Sequence, residues 1–313
     1  MSEHHHTDPG FGRNYDPHLK RLINKDGSYN VIKTGKVEGF KDIYNHLLHI
    51  GWLKFFGIVL SYFVIVNLCF ALFYYAIGID ALSIKPSHSV FHDFIQCFYF
   101  STQTFTTVGY GLISPIGIYS SLLASFEALF GLLSFSLATG LMYGRFSRPD
   151  SKIIFSNHAL ISPFQKDKRG LMFRLVNQRN SNLSNVEATV LLSLFDRNED
   201  VRNPKRKFYR LDLEYDKIRF FPSTWTIVHP LEKDSPLITL NEKDFIEQKV
   251  EISIFIEAFD ENLSQIVHSR HSYMSDEIIM DAKFRPSYTI DNHGYTHVDI
   301  NTFGDFDKVS HQK

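Results

Sequence analysis

The sequence predicts a helical membrane domain followed by an all-β domain. Charged residues are spread unevenly along the chain: the 90 residues of 55–144 hold four charges, whereas the other 223 residues hold 63 of the 67. Two apolar runs lie inside the charge-poor stretch, and runs typical of β-strands follow it. This distribution excludes a wholly soluble single domain. The formal net charge of −1 and the pI near 7.0 give no reason to expect a nucleic acid partner.

The two apolar runs predict two membrane-spanning helices. Phe55–Ile79 is 25 residues long and carries no charge, and a helix needs about 20 apolar residues to cross the hydrocarbon core. The second run, Ile118–Met142, is interrupted only by Glu127. We therefore expect an outer helix over residues 53–79 and an inner helix over residues 117–146.

Basic residues lie on the outer flanks of the two predicted spans. They are Lys36, Lys41 and Lys54 before the first span, and Arg145, Arg148 and Lys152 after the second. The connection between the spans carries only Lys85. Because positive residues accumulate on the cytoplasmic side of a membrane, this pattern predicts a multi-pass membrane protein with both termini in the cytoplasm.

The connection between the spans predicts a re-entrant half-helix. Val90–Thr107 is aromatic and nearly uncharged. Irregular backbone at membrane depth is tolerated only where it is buried in protein or lines a water-filled cavity. We therefore expect a pore helix over residues 91–105, followed by an irregular segment over residues 106–111.

The irregular segment resembles the selectivity filter of potassium channels, because it contains Thr107, Val108, Gly109, Tyr110 and Gly111 in that order. The backbone carbonyls of Thr107, Val108, Gly109 and Tyr110, together with the hydroxyl of Thr107, would replace the hydration shell of K⁺. Gly109 and Gly111 can adopt positive φ without a Cβ penalty, and the pore-helix dipole would favour a cation at its C-terminal end.

A ring of carbonyls around one axis needs several chains. One chain supplies a quarter of such a ring, so the motif predicts a homotetramer. The alternative interpretation is a chance pentapeptide in a turn. The half-helix before the motif and the spans on both sides favour the filter.

The flanking segments resemble the inward-rectifier potassium channel family, in particular its prokaryotic KirBac branch. The resemblance is distributed over residues 20–300. The segments that carry it are Arg21–Val31, Asp42–Leu48, Arg145–Pro149, Phe155–Ala159, Trp225–Pro230, Asp234–Leu237 and Asp276–Ile279.

The resemblance implies an arrangement of domains along the chain. It implies a cytoplasmic N-terminal segment over 1–40, an interfacial slide helix over 41–52, a transmembrane pore domain over 53–146 and a cytoplasmic immunoglobulin-like β-sandwich over 147–313. Pattern alone also predicts strands in the last region. The β-type runs are Leu171–Val176, Val186–Phe195, Val250–Phe259 and Ile266–Tyr273.

The resemblance also suggests a gate on the inner helix. Phe135, Thr139 and Tyr143 are four residues apart and share one helical face, and four copies of an aromatic residue there would close a pore by dewetting. The alternative for Tyr143 is a lipid-anchoring or interhelix role. Gly131 and Gly140 fall at bending positions of the family, and close packing against the outer helix is the alternative for each.

Other positions carry expectations about regulation. Arg145, Arg148 and Lys152 predict contact with anionic lipid headgroups. Glu187 and Glu277 match positions that form acidic rings in the cytoplasmic vestibule of relatives, and ordinary solvated or salt-bridged roles are the alternative.

The chain also departs from its relatives in three ways. Phe135 replaces the acidic residue of strong rectifiers, Gln103 and Ile113 replace an ion pair of eukaryotic members, and Asp150 and Ser151 replace part of a basic cluster. Glu127 is then a candidate acceptor behind the filter, and its partner cannot be read from the sequence.

The sequence thus predicts a homotetrameric, potassium-selective inward-rectifier-type channel in a bacterial inner membrane. No nucleophile, base or cofactor motif points to an enzyme. We expect no cofactor, K⁺ as the permeant ion, and no metal site besides K⁺ at the filter. The alternative from another functional class is a membrane-anchored β-sandwich ligand sensor with a vestigial pore.

Overall fold

A computed structural model of the chain describes residues 10, 21–32, 34–35, 39–87, 89–147, 151–165, 168–179, 181–195 and 206–309. These residues divide into two compact units. A helical unit lies within residues 34–147, and a β unit is built from residues 21–32 together with residues 151–309.

Four α-helices and one short 3₁₀ helix form the helical unit. The α-helices are α1 (Phe40–His49), α2 (Trp52–Ile77), α3 (Val90–Phe105) and α4 (Ile118–Phe146). The 3₁₀ helix, Ile79–Ala81, follows α2. Both α2 and α4 are long and apolar enough to cross a membrane.

Glycines set several helix boundaries. The predicted interfacial helix is α1, which ends at His49. Trp52 begins the outer helix after Gly51, so Trp52 belongs to α2 rather than to the predicted slide helix. The outer helix ends at Ile77, two residues before the expected end, because Gly78 adopts a φ of +115°. That angle lies outside the helical range and turns the chain.

The pore helix α3 packs in the angle between the two long helices. Ser89 caps its N-terminus by accepting a hydrogen bond from the amide of His92. Apolar side chains of α2, α3 and the connection between them form one cluster. The buried members are Phe70, Ala71, Tyr74, Leu82, Cys97 and Phe100.

The segments on either side of the pore region are joined to each other. Leu82 and Pro115 form an isolated antiparallel bridge, and the amide of Ser83 donates to the carbonyl of Ser114 at 2.8 Å. Backbone contacts therefore join the chain before the pore helix to the chain after the irregular segment. The irregular segment is held in this way at its far end, and by the pore helix at its beginning.

Fourteen strands, one short α-helix and one 3₁₀ helix (Ser275–Glu277) lie in the β unit as described. The first seven strands are β1 (Ile153–Phe155), β2 (Ala159–Phe164), β3 (Lys168–Asn177), β4 (Leu183–Phe195), β5 (Arg206–Leu211), β6 (Lys217–Phe220) and β7 (Thr224–Pro230). The remaining elements are α5 (Glu242–Glu247), β8 (Glu251–Asp260), β9 (Gln265–Met274), β10 (Ile278–Met280), β11 (Ala282–Phe284), β12 (Tyr288–Ile290), β13 (Thr296–Val298) and β14 (Phe306–Lys308).

Two five-stranded sheets make up the sandwich. One has the order β1-β3-β2-β10 with β7 paired to β3, and the other has the order β5-β4-β8-β9 with β6 paired to β4. Alternating residues of both sheets form a single buried core that includes Phe173, Trp225, Ile227, Ile254 and Tyr273. This architecture confirms the predicted fold class of two spanning helices followed by a β-sandwich.

The N-terminal segment packs on the β unit, which the sequence did not predict. The amide of Leu22 donates to the carboxylate of Glu251 at 2.9 Å, and Arg206 forms an ion pair with the same carboxylate at 3.0 Å. Glu251 is fully buried, and Leu22, Ile23 and Phe208 form a small apolar cluster beside it. The segment therefore contributes to the stability of the sandwich.

Replacing Glu251 tests this role. We expect Glu251→Ala to lower the free energy of unfolding of the β unit by about 3–5 kcal/mol, because the change removes the carboxylate of a buried ion pair. Denaturant unfolding of the purified protein, followed by intrinsic fluorescence, measures the change.

Glu187→Ala is the matched control. Its carboxylate is exposed and pairs with Lys217 at 3.4 Å, so its loss should cost at most about 1 kcal/mol. Equal effects of the two substitutions would contradict a structural role for the Glu251 cluster.

Candidate functional site

The filter-like segment, residues 107–111, has a backbone in which the sign of φ alternates. Thr107, Gly109 and Gly111 have φ values of +59°, +54° and +80°, whereas Val108 and Tyr110 between them do not have positive φ. A backbone in which every second residue has positive φ can place successive amide N–H groups on one side of the chain and the carbonyl groups on the other.

Hydrogen bonds fix which side the amides face. The amides of Val108 and Gly109 both donate to the carbonyl of Gln103, at 2.9 and 3.3 Å. Gln103 lies in the last turn of α3. Because the peptide bonds are trans and each carbonyl points opposite to the N–H of the same peptide unit, the carbonyls of Thr107 and Val108 point away from the pore helix.

The positive φ of Thr107 is a feature that the sequence did not predict. A β-branched residue rarely adopts the left-handed region, and the strain is about 1–3 kcal/mol. The sequence assigned positive φ only to the two glycines. No property of the threonine itself indicates this conformation. The hydrogen bonds of the neighbouring amides hold the chain in this turn.

All five filter-like residues are exposed in the single chain. Val108 and Tyr110 are 53% and 73% exposed. An apolar side chain and a row of carbonyls with this exposure have the surface expected of a segment that meets other copies of itself.

Gly131 of α4 packs against the end of the pore helix. A Cβ added at this position would lie 2.1 Å from the carbonyl oxygen of Phe105 and 2.9 Å from its carbonyl carbon. Phe105 is the last residue of α3. This contact favours close packing over bending for Gly131, and the partner is the pore helix rather than the outer helix.

Gly140 has different surroundings. Apart from its chain neighbours and the adjacent backbone of its own helix, no atom of the described chain lies within 4 Å of a Cβ added there. The proposed bending role of Gly140 therefore meets no steric obstacle within the single chain.

A second contact between α4 and the pore helix lies one turn earlier. Glu127 is fully buried, accepts a hydrogen bond from Tyr74 of α2 at 2.6 Å, and lies 2.5 Å from the hydroxyl of Ser101 of α3. Asn67, a polar residue within the apolar run of α2, also contacts Ser101. A lone asparagine in an apolar run is a sequence feature that could have indicated a buried polar contact with Glu127 and its partners.

The face predicted to carry a gate is open in the single chain. Phe135 and Tyr143 are each 73% exposed, and Thr139 between them is exposed. The hydroxyl of Thr139 donates to the carbonyl of Phe135 at 2.9 Å, so it is turned toward its own helix. The face is available to line a pore or to meet a neighbouring helix.

Arg145 connects the end of the inner helix to the interfacial helix. Its guanidinium donates to the carbonyl of Leu47, and to that of Ile50 at 2.7 Å. These carbonyls lie at the C-terminal end of α1, where backbone acceptors lack helical donors. The guanidinium also lies over the rings of Trp52 and Phe55, at 4.5 and 4.6 Å. Arg145 therefore has a structural role besides the predicted lipid contact.

The structure says less about the other two residues predicted to contact lipid. Lys152 is exposed just before β1, and Arg148 lies outside the described residues.

The two predicted vestibule carboxylates have different surroundings. Glu187 is exposed and pairs with Lys217 across adjacent strands. Glu277 is nearly buried, 2.6 Å from Arg21 and 2.5 Å from Lys25. Burial alone would raise the pKa of Glu277, but hydrogen bonds from Lys25, Met274 and Arg21 outweigh burial and hold the pKa below its usual value. The Glu277 carboxylate is thus ionised, and its charge is offset by two cations.

These features define a class of protein. Two spanning helices enclose a half-helix, and the chain after that half-helix turns its carbonyls to one side, which is the arrangement of an ion-channel pore domain. Comparison with known proteins agrees. Residues 54–148 match the family described as "Ion channel", and residues 153–313 match "Inward rectifier potassium channel C-terminal domain".

Individual relatives give the same result. The chain is 33% identical over 287 residues to inward rectifier potassium channel Kirbac3.1 of Paramagnetospirillum magnetotacticum, covering 90% of this chain and 94% of the relative. It is 26% identical to G protein-activated inward rectifier potassium channel 2 of Rattus norvegicus, over 93% of this chain and 73% of the relative. It is 28% identical to channel 4 of the same series from Homo sapiens, over 68% of this chain and 52% of the relative.

The chain belongs to the inward rectifier potassium channel family. It is a membrane protein, and its function is that of an ion channel rather than an enzyme. A β-sandwich sensor with a vestigial pore is not favoured, because the match covers the pore domain as well as the cytoplasmic domain.

The contact at Gly131 can be tested against Gly140. We expect Gly131→Ala to destabilise the protein by about 1–3 kcal/mol through overpacking against the Phe105 carbonyl. Gly140→Ala should be neutral or slightly stabilising, because alanine favours a helix by up to about 1 kcal/mol. Thermal unfolding of the detergent-solubilised protein measures both changes, and an equally stable Gly131→Ala variant would contradict close packing.

The role of the Arg145 hydrogen bonds to the end of α1 can be tested separately from the role of its charge. Arg145→Lys keeps the positive charge but cannot reproduce the two-carbonyl contact of a guanidinium. We expect amide hydrogen exchange over residues 43–51 to increase by at least about ten-fold, which corresponds to losing hydrogen bonds from a charged donor.

Lys152→Gln is the control for Arg145→Lys, because Lys152 lies outside the helical unit. It should leave exchange over residues 43–51 unchanged. Normal exchange in Arg145→Lys would show that only the charge of Arg145 matters.

Proposed function

We propose that four copies of this chain assemble around one axis and form a passive, potassium-selective pore. The observation that carries the proposal is the pair of amide hydrogen bonds to Gln103, which turn the carbonyls of Thr107 and Val108 away from the pore helix. Relatives named as inward rectifier potassium channels support the same function.

The proposed mechanism replaces water around K⁺ with backbone oxygens. Carbonyls from Thr107, Val108, Gly109 and Tyr110 of each copy, together with the Thr107 hydroxyl, coordinate the ion. Because the amides of Val108 and Gly109 are bound to Gln103, the carbonyls of Thr107 and Val108 need no reorganisation when an ion arrives. The C-terminal end of α3 adds a partial negative charge that favours a cation below the filter.

The proposed gate lies on the inner helix. The lower pore is lined by Phe135, Thr139 and Tyr143. The aromatic side chains of Phe135 and Tyr143 close it by excluding water. Their exposure in the single chain supports this placement. Gly140, with open space around its Cα, supplies the flexibility that opening requires.

The proposed orientation places both termini and the β-sandwich in the cytoplasm of a bacterial cell. Arg145, Arg148 and Lys152 meet anionic headgroups at the cytoplasmic surface. Glu187 and Glu277 contribute charge to the vestibule, but the ion pairs of both carboxylates argue for weak attraction of cytoplasmic cations.

Flux through reconstituted protein tests the proposed pore. We expect purified protein in liposomes to take up Rb⁺, with block by Ba²⁺ and exclusion of Na⁺. Gly109→Ala should lower uptake by at least about ten-fold, because a side chain at positive φ strains the filter backbone by about 1 kcal/mol or more in each of four copies.

Gly57→Ala serves as the matched control. Gly57 lies in α2, and apart from its chain neighbours and the adjacent backbone of its own helix no atom of the described chain lies within 4 Å of an added Cβ. Uptake should therefore remain normal. Absence of Rb⁺ uptake by the unmodified protein across several lipids would contradict the proposed function. Unchanged selectivity in Gly109→Ala would contradict the assigned filter.

A further inference from the structure

A chain of hydrogen bonds connects the three helices behind the filter. The side-chain amide of Asn67 donates to the carbonyl of Phe63 at 2.8 Å, and the carbonyl oxygen of Asn67 lies 3.0 Å from the hydroxyl of Ser101. The Ser101 hydroxyl lies 2.5 Å from Oε1 of Glu127, and the Tyr74 hydroxyl donates to Oε2 at 2.6 Å. Asn67, Ser101 and Glu127 are fully buried.

The orientation of the Asn67 amide follows from its backbone partner. The carbonyl of Phe63 can only accept a hydrogen bond, so the nitrogen of the Asn67 amide must face it. The oxygen of the same amide therefore faces Ser101. This oxygen also can only accept.

Counting protons then determines the state of the carboxyl group. The Ser101 hydroxyl has one proton and lies between two oxygens, Asn67 Oδ1 and Glu127 Oε1. If that proton goes to Asn67, the proton between Ser101 and Glu127 must come from Glu127. If Glu127 is ionised instead, the Asn67 oxygen faces a lone pair and is buried without a donor, which is unfavourable.

Charge leads to the same conclusion. Among the described residues, Glu127 forms no ion pair with Lys, Arg or His, although other carboxylates of the chain do. An ionised carboxylate without a cation is strongly disfavoured in an apolar interior. Two hydroxyl contacts satisfy a carboxylic acid but leave a carboxylate poorly compensated.

We propose that Glu127 is a neutral carboxylic acid that donates to Ser101 and thereby positions the pore helix. The inference rests on the proposed function for its consequence, which is that the four Glu127 residues of a tetramer add no charge behind the filter. Fixed negative charges there would bind K⁺ more tightly, and conduction requires that an ion also leave.

The position of Ser101 explains why this contact reaches the filter. Ser101 and Phe105 are four residues apart on α3, and Glu127 and Gly131 are four residues apart on α4, so two contacts one turn apart hold the pore helix on the inner helix. Gln103 lies between Ser101 and Phe105, and its carbonyl holds the filter amides. Glu127 is therefore a positioning residue that acts through the pore helix.

Infrared spectroscopy of the full protein tests the protonation state directly. At pH 8, exposed carboxylates are ionised, so a carbonyl stretch from a protonated carboxyl group reports a protected acid. We expect such a band in the unmodified protein with ¹³C-labelled glutamate. It should vanish in Glu127→Gln and persist in Glu257→Gln, which alters an exposed carboxylate of the β unit.

Flux measurements test the positioning role. Glu127→Gln should keep Rb⁺ uptake within about three-fold of the unmodified protein, because the amide donates to Ser101 and accepts from Tyr74. Glu127→Ala should lower uptake by at least about ten-fold through buried groups left without partners. The ratio of K⁺ to Na⁺ uptake should follow the same order.

The two proposals fail in different ways. Protein that takes up Rb⁺ but lacks the infrared band would overturn the neutral state of Glu127 and leave the proposed channel intact. Glu127→Gln that is as inactive as Glu127→Ala would overturn the inference also, since it would show that the negative charge is needed. A band in protein that takes up no Rb⁺ would support the neutral state and contradict the channel.

Discussion

The proposed filter depends on the hydrogen bonds between the amides of Val108 and Gly109 and the carbonyl of Gln103. Those bonds use the last turn of the pore helix, where carbonyls have no helical donors of their own. They fix the direction of the Thr107 and Val108 carbonyls and also hold Thr107 at a positive φ that a threonine would not otherwise adopt. Ion coordination in this account is thus a consequence of how the pore helix ends.

The inner helix then determines where the pore helix lies. Glu127 and Gly131 contact α3 through a hydrogen bond and through a close approach to backbone, respectively. The first contact sets a distance between the helices, and the second allows the helices to approach closely enough for that distance. Arg145 connects the other end of the same helix to α1. Movement of the inner helix would therefore change the positions of both the pore helix that holds the proposed filter and the helix α1.

The sequence predicted the architecture because its main signals are local. Two long apolar runs, an aromatic half-helix and the TVGYG segment each depend on nearby residues only. It did not predict the partner of Glu127, the packing of Gly131 on Phe105 or the docking of Leu22 on Glu251, because each joins residues that are far apart in the chain. The positive φ of Thr107 was missed for a related reason: it is imposed by neighbouring amides against the preference of the residue itself.

The central claim is that the Thr107 and Val108 carbonyls face the ion path. The most direct measurement is an anomalous difference map from crystals of the assembled protein grown in Rb⁺. The account predicts peaks on the symmetry axis beside these carbonyl oxygens, with the adjoining amides still bound to Gln103. Ions found only elsewhere on the axis, or carbonyls turned toward the pore helix, would contradict it.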